Sequence, residues 1–547
     1  MSPDVVEATD QEQAADPGAL AVLQPVSAPR MTALPAARVS TRVRFAACFL
    51  LVAVPALLLY MRTLMPDMGF WDTGEFQAVG PVLGIAHPTG YPAYTLLLWL
   101  GSVVLQPFGD EAYRANLLSA LLTAAACGLV GITVAYLTRR FVIGIATGIV
   151  FAVAAQTWAI GLHADPHAFH LFLVAAMVLL LVVWAQRQRA GLHADRLLIA
   201  AAALFGVALA NHALTLLLAP GIALYVLITY PGIVRRFRLV ATCGAALVVT
   251  TVVLYAYLPI RSAMNPPLDY ANPQTWANFS YLVFGQQFTG TFKARPPLFD
   301  AITQIARYNW DQLGLLAVLA LLGTVAGLLR RAALVLMLLT WFALTWYFAL
   351  GYENADIGRY YLVPLMCVAV LGGLGVGAIV EAAKTLRARV APARPSLMRW
   401  AVAALIGIVL VVPALVAVPV RFRSLDESSD HAARTWLDSL GAVMGQNAVI
   451  ISWWSYSTPM WYGQYVEGWR PDVTIIDDRT ILDQNLGSAM QVIDSNLGNR
   501  PVYLIRVPGD YPSYMQRYTM VNLPGIVGGV AVYQVTGFQA TAVRADR

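Results

Sequence analysis

Apolar runs long enough to cross a membrane recur along this chain, separated by short clusters of arginine. They occupy 45–61, 114–137, 141–160, 167–186, 238–258, 312–329, 332–350, 360–382 and 400–420. A membrane helix needs roughly 20 apolar residues. The stretch 196–229 is apolar for about 34 residues, roughly 51 Å of helix, which is too long for one crossing. Asn211 and His212 interrupt it midway, so two helices are expected to meet there. The total is about eleven spans. Composition agrees: the chain is only 12% charged and its mean hydropathy is +0.63, whereas soluble domains carry about 25% charge. Lipid is therefore the solvent for most of the surface. The net charge of +6 resolves into clusters between the apolar runs, a topology signal rather than a nucleic-acid-binding face. No nucleic-acid partner is expected.

The run 93–108 is apolar but short and lies between Pro92 and Pro107. It either spans or lies in the interface as a juxtamembrane helix. Basic residues favour the cytoplasmic side. If 93–108 does not span, Arg139/Arg140, Arg187/Arg189, Arg235/Arg236/Arg238, Arg330/Arg331 and the Lys384–Arg399 loop all share the side of the N-terminal arginines. If it spans, every later cluster flips outside. The first arrangement is preferred. It places the loops rich in Asp, Glu and His outside.

Residues 1–42 are rich in Ala, Pro, Gln and Asp and are expected to be a disordered cytoplasmic tail, with the first span kept as a signal anchor. Residues 43–420 form the transmembrane domain, with external loops at 62–113 and 261–311. Cys48, Cys127, Cys243 and Cys367 each lie in a different apolar run, which argues against disulfides and zinc sites. From 421 to 547 the sequence turns mixed in character. Segments 447–452, 473–477, 502–507 and 530–535 read as strands, and Ser429–Asp430 can cap a helix running to about Met444. A small external α/β domain is expected there.

The first external loop contains Trp71-Asp72-Thr73-Gly74-Glu75-Phe76 and Gly84-Ile85-Ala86-His87-Pro88-Thr89-Gly90-Tyr91-Pro92. On a helix Asp72 and Glu75 share a face. A partly desolvated carboxylate there is a stronger base; equally, spacing alone allows two solvated loop acids. His163, Asp165, His167 and His170 follow in GLHADPHAFH. The four-residue spacing of His163 and His167 suits a metal, but Pro166 breaks the helix such a pair requires. Asn211-His212 belongs to the same external side and should point into the bundle. Arg261 and Arg359 stand at helix ends on the side where arginine is disfavoured. They read either as snorkelling cations or as partners for phosphate. Glu353 and Asp356 read as sugar or acceptor contacts or as a solvated turn. Trp453 and Trp454 either stack on sugar or dock the external domain. The glycine-rich 372–377 lies inside a span, where close helix packing explains it better than nucleotide binding.

These motifs resemble those of a family of bacterial and eukaryotic membrane proteins that includes a vertebrate endoplasmic-reticulum O-mannosyltransferase acting on plexin-type receptors. The likeness rests on WDTGEF…GIAHPTGYP and continues through Arg114-Ala-Asn116-Leu-Leu-Ser119, Asn211-His212, Tyr257-Leu-Pro-Ile-Arg261 and Asp356-Ile-Gly-Arg359-Tyr-Tyr. More broadly, the layout is similar to the GT-C superfamily of polyprenyl-phosphate-sugar glycosyltransferases. The resemblance implies a GT-C-like, polytopic α-helical membrane protein with an external α/β domain in a bacterial plasma membrane. It implies Asp72 as general base, with Glu75 orienting it or binding sugar hydroxyls. It places Arg261, Arg359, His87, His212 and Asn116 toward the lipid-phosphate donor, and His163, Asp165, His167, Glu353, Asp356, Trp453 and Trp454 toward sugar or acceptor. The implied donor is a polyprenyl-phosphate-linked sugar, mannose or another hexose, and the acceptor an external protein or glycan hydroxyl. Transfer by direct displacement inverts the anomeric centre. No cofactor is required, and a divalent metal is not called for. Oligomeric state is left open. The rival class is a transporter or flippase of lipid-linked sugars, which usually shows repeat halves and broken midplane helices; neither is evident in the sequence.

Overall fold

The computed structural model describes residues 40–390, 401–402 and 405–539. The expected tail lies almost wholly outside the described residues. Among the described residues seven helices are long and apolar enough to cross a membrane: Thr41–Thr63, Glu111–Thr138, Pro166–Arg189, Phe237–Ser262, Leu315–Leu350, Ile357–Thr385 and Gly407–Leu425. This is a multi-pass membrane protein.

The other expected spans take broken forms. Run 141–160 is a helix Phe141–Ala152 followed by a short Ala155–Ala159 turn. Stretch 196–229 divides at His212, between Asp195–Asn211 and a 3-10 turn that leads into Ala219–Thr229. The two runs 312–329 and 332–350 are continuous in Leu315–Leu350 except at Arg331, whose φ of −148° and ψ of 43° kink the helix. Arg331 also donates to the Leu137 carbonyl at 2.7 Å.

Helices Thr41–Thr63 (α1), Trp71–Val82 (α2), Pro92–Val104 (α3) and Glu111–Thr138 (α4) open the chain. Thirteen residues make α3 only about 20 Å long. Its far end is tied back by Arg114 of α4, which donates to the Ser102 carbonyl at 3.1 Å. The loop 83–91 between α2 and α3 lies at one end of the bundle. That end also carries Asp72, His87, Asp165, His212 and Arg359. The opposite end carries the basic clusters, with Arg140 on Glu381 at 2.7 Å and Arg236 on Asp195 at 2.6 Å.

Helix Leu362–Val390 crosses Leu315–Leu350 backbone to backbone. A Cβ on Gly375 would stand 2.1 Å from the Leu319 carbonyl, and one on Gly372 would stand 2.4 Å from that of Leu316. Glycine is needed for this approach.

The C-terminal region forms a five-stranded sheet in the order β2-β1-β3-β5-β4, with β1 Val449–Ser452, β2 Thr474–Asp477, β3 Val502–Ile505, β4 Tyr518–Asn522 and β5 Tyr533–Phe538. The first three are parallel. The expected 530–535 strand begins three residues later, and β4, with mostly exposed residues, carries too little apolar alternation to be read from sequence. The expected helix is Ala432–Val443, but its N-cap is His431 rather than Ser429 or Asp430; the Asp430 carboxylate accepts from the Ala432 amide at 2.9 Å.

This region shares a core with the first loop. Phe76, Met460, Tyr462 and Trp436 are fully buried in one apolar cluster. The Ala112 amide donates to the Tyr462 hydroxyl at 3.0 Å, and Arg434 binds Asp67 at 3.1 Å. Burial holds the sheet domain to α2, and these polar contacts set its register.

Candidate active site around Asp72 and Arg359

The loop before α2 is braced by Asn116. Its amide nitrogen donates to the carbonyls of Met65 at 2.9 Å and Asp67 at 3.3 Å. Its oxygen accepts from Gln77 at 3.0 Å and the Ala164 amide at 2.9 Å. Asn116 is fully buried and has no polar atom left for a ligand, so its place is structural rather than in the donor-binding group.

Asp72 and Glu75 do lie on one helix, one turn apart, but in different surroundings. The Asp72 side chain is 25% exposed, and its Oδ2 accepts from Arg359 at 2.6 Å. Among the described residues nothing reaches its Oδ1. Arg359 comes from the 3-10 turn Ile357–Tyr361 that feeds the next long helix. Its guanidinium also meets Asp165 at 3.3 Å and the exposed Asp356. Three carboxylates thus surround one largely buried cation, which offsets its desolvation.

Asp165 caps helix Pro166–Arg189 by accepting from the His167 amide at 2.7 Å and meets the His167 Nδ1 at 2.8 Å. Burial pushes the Asp165 carboxyl up, but Arg359 and His167 outweigh it and hold it below the usual carboxylate range. The His167 ring meets Asp165 through Nδ1, which leaves its other nitrogen, Nε2. That nitrogen is buried and has no partner among the described residues. Its ring lies 4.6 Å from His212 and 5.3 Å from Tyr360, centroid to centroid. His212 is buried, as expected, and its Nδ1 accepts from the Leu214 amide at 3.1 Å.

Glu75 is 1% exposed. It accepts from the His87 amide at 2.9 Å and clasps the His87 ring through Nδ1. Burial alone would lower the His87 pKa; Glu75, with a smaller contribution from Asp72, raises it above the ordinary value. Glu75 and His87 therefore form an ion pair that fixes the loop after α2.

The remaining expected residues divide. Arg261 donates to the Leu83 carbonyl at 2.8 Å and the Val82 carbonyl at 3.1 Å, which caps the end of α2. His163 pairs with Glu427 at 3.1 Å, at the entrance to the sheet domain. That contact and burial oppose each other; Glu427 prevails and raises the His163 pKa. Trp453 packs edge-on to Trp71 at 5.2 Å and Trp454 edge-on to His87 at 5.4 Å, so both dock the sheet domain on the loop. Glu353 is exposed, and its amide donates to the Thr291 carbonyl at 2.9 Å. Among the described residues no group of three or more His, Cys, Asp or Glu is arranged to hold a metal ion.

Sequence reasoning missed Tyr91 and Tyr360. Tyr91 stands 5.7 Å from His212 and its hydroxyl 3.5 Å from the His87 Nε2. Both tyrosines sit inside the quoted motifs, beside Gly90 and Arg359, which was the available signal.

Residues 72–232 match the family model of the protein O-mannosyl-transferase TMEM260 N-terminal domain, a match that begins at Asp72 and takes in His87, Asp165, His167 and His212. The chain is 28% identical over 454 residues to the protein O-mannosyl-transferase TMEM260 of Mus musculus, covering 76% of this chain and 60% of that protein. It is 25% identical over 144 residues to the Dictyostelium discoideum protein of that name, covering 26% of this chain and 18% of that one. The chain therefore spans less than two thirds of these relatives. In fold it is similar to ArnT from Cupriavidus metallidurans bound to undecaprenyl phosphate, with a TM-score of 0.57 at 14% identity, over 90% of this chain and 97% of that one. It is also similar to the archaeal oligosaccharyltransferase AglB from Archaeoglobus fulgidus, with a TM-score of 0.51 at 14% identity, over 90% and 74%. The polytopic helical architecture with a C-terminal sheet domain, expected from the sequence, is the one observed.

Proposed function

We propose that the chain is a glycosyltransferase that moves a sugar, mannose before other hexoses, from a polyprenyl-phosphate carrier to a hydroxyl of an external protein or glycan. The observation that carries this reading is the pairing of Asp72 with Arg359 at the end of the bundle away from the arginine clusters, where Asp72 opens the segment 72–232 matched to an O-mannosyl-transferase family model. In this reading the N-terminus is cytoplasmic, the site and sheet domain lie outside a bacterial plasma membrane, and the domains divide near 42 and 420.

Asp72 is the general base. Its Oδ1 takes the proton from the acceptor hydroxyl as that oxygen attacks the anomeric carbon. The bond from that carbon to the phosphate oxygen breaks, and the electron pair leaves with the polyprenyl phosphate. One displacement inverts the anomeric centre. Arg359 holds Oδ2 and so aims Oδ1; its planar fork also suits the leaving phosphate. The buried, unpartnered His167 Nε2 can accept from a sugar hydroxyl. Glu75 and His87 keep the loop in place. An apolar cavity of about 630 Å³, lined in part by Met177, Leu181, Phe205, Ile222 and Leu247, suits the carrier's tail. Lipid-linked sugar is the only cofactor-like partner this scheme requires.

The test is release of polyprenyl phosphate from polyprenyl-phosphate mannose by the purified chain. Asp72→Asn is expected to lose about 10²–10⁴-fold in rate while keeping its melting temperature. An Asp72→Asn protein as active as the parent would refute the assignment.

A further inference from the structure

A second cavity, about 200 Å³, lies where α2, the 266–270 loop and the sheet domain meet. Its charged wall comprises Glu75, Asp269, Asp477, Asp483 and Arg479, and Tyr270, Trp461 and Tyr465 supply aromatic surface. Four carboxylates thus face one guanidinium.

Most of these charges are already matched. Arg479 grips Asp483 through two nitrogens, Nε at 2.8 Å, and packs its guanidinium against Tyr270 at 5.0 Å and Tyr281 at 4.9 Å. Glu75 is held by His87 on its other side. Asp269 and Asp477 are left. Asp269 Oδ2 accepts from the Ser262 hydroxyl at 2.7 Å, but its Oδ1 is buried and has no partner. Asp477 is 1% exposed; its Oδ1 accepts from the Thr480 amide at 2.8 Å and the Thr480 hydroxyl at 2.5 Å, and its Oδ2 is buried and unpartnered. Asp269 and Asp477 therefore each bring to the cavity wall a carboxyl group with one buried oxygen that has no donor among the described residues. Buried polar groups are normally paired, so a ligand that donates N–H is the natural complement. Asp477 also ends β2 at the carboxyl edge of the parallel strands, where α/β sheets take ligands.

We propose that this cavity binds a cationic, N–H-donating side chain of the acceptor polypeptide, a lysine or arginine close to the modified hydroxyl. The inference rests on the transferase reading, and it adds how the acceptor is chosen. Asp477 and Asp269 supply the charge and the hydrogen-bond acceptors. The aromatic rings cover the aliphatic stem of the incoming side chain and add cation–π attraction. Glu75, on α2 one turn from Asp72, is common to the cavity wall and the catalytic loop. A side chain seated here brings a neighbouring serine or threonine toward Asp72.

The test uses the full chain in lipid nanodiscs. Labelled serine-containing peptides carry a single lysine at each position within three residues of the serine; their twins carry norleucine there. Fluorescence anisotropy is expected to show at least one lysine peptide binding about tenfold or more tightly than its twin, about 1.4 kcal/mol. Asp477→Asn should erase that preference, because asparagine keeps an oxygen for the Thr480 cap and puts a donor in place of the free oxygen. Asp269→Asn, in a half-exposed loop, should reduce it several-fold and serves if Asp477→Asn fails to fold. Asp72→Asn should bind like the parent. Twins of equal affinity at every position, no peptide binding, a preference retained in both cavity variants, or binding of an amino-sugar oligosaccharide in place of peptide would each overturn the assignment. Lysine preference without turnover by the parent protein would instead remove the transferase reading and leave a cation-binding cavity.

Discussion

Replacing Arg359 with glutamine tests the carboxylate cage most sharply. Arg359 is the cation shared by Asp72 at 2.6 Å, Asp165 at 3.3 Å and the exposed Asp356. Two unit charges about 4 Å apart interact by roughly 4 kcal/mol at an effective dielectric near 20. Asp356, 63% exposed along its side chain, adds little because water screens it. Asp165 is 2% exposed, so it loses most. Removing one partner of a buried pair costs about 3–5 kcal/mol. Arg359→Gln should therefore lower thermal stability by several degrees, read by tryptophan fluorescence in detergent. The companion Asp165→Asn/Arg359→Gln should regain about 1–3 kcal/mol of that loss, because the uncompensated charge is gone. It should not regain turnover, since Asp72 is still unaimed. The pH profile adds a sign. In the parent, Asp165 is depressed, so its contribution is present above about pH 3.9 and lost only as pH falls through the lower folded value. Without Arg359 the folded value climbs, and the acid limb of stability moves to higher pH. A double variant less stable than the single one, or an Arg359→Gln protein that melts like the parent, would refute the cage.

Further outcomes follow from the same contacts. The raised His87 value gives stability that is full below about pH 6.5 and is lost as pH rises through the folded value; melting curves from pH 5.5 to 9 should show this in the parent and not in Glu75→Gln. Asn116→Ala breaks four buried hydrogen bonds and should cost about 2–4 kcal/mol, seen in the denaturation midpoint, with the remaining folded fraction still releasing polyprenyl phosphate. Gly375→Leu places its Cβ 2.1 Å from a backbone carbonyl and should abolish a monodisperse peak in size exclusion. Trp454→Ala unseats the sheet domain from His87 and should speed its release by limited proteolysis.

Much of the fold was legible because lipid imposes a simple rule. Apolar runs pointed to the membrane helices, and the short run 93–108 falls on the thirteen-residue α3. Helix breaks were not legible at Val153 or as a single kink at Arg331, because those residues are set by neighbours rather than by local propensity. Of the site, the motifs brought Asp72, Glu75 and His87 forward correctly as neighbours in one loop. The Asp72–Arg359 pair joins positions 287 residues apart, and no pattern in one sequence encodes it. Arg261 looked like a phosphate ligand because arginine is rare at such a place; its carbonyl partners on α2 give it a structural occupation. The Asp269 and Asp477 cavity escaped notice because its walls come from three separated segments.

The account stands or falls on whether a bond is made. Reconstituted into liposomes with a polyprenyl-phosphate mannose labelled in its sugar, the chain should release free polyprenyl phosphate and pass the label to an acceptor, and Asp72→Asn should do neither. Carrier that crosses the bilayer with its sugar still attached, at equal rates in the parent and in Asp72→Asn, would contradict it.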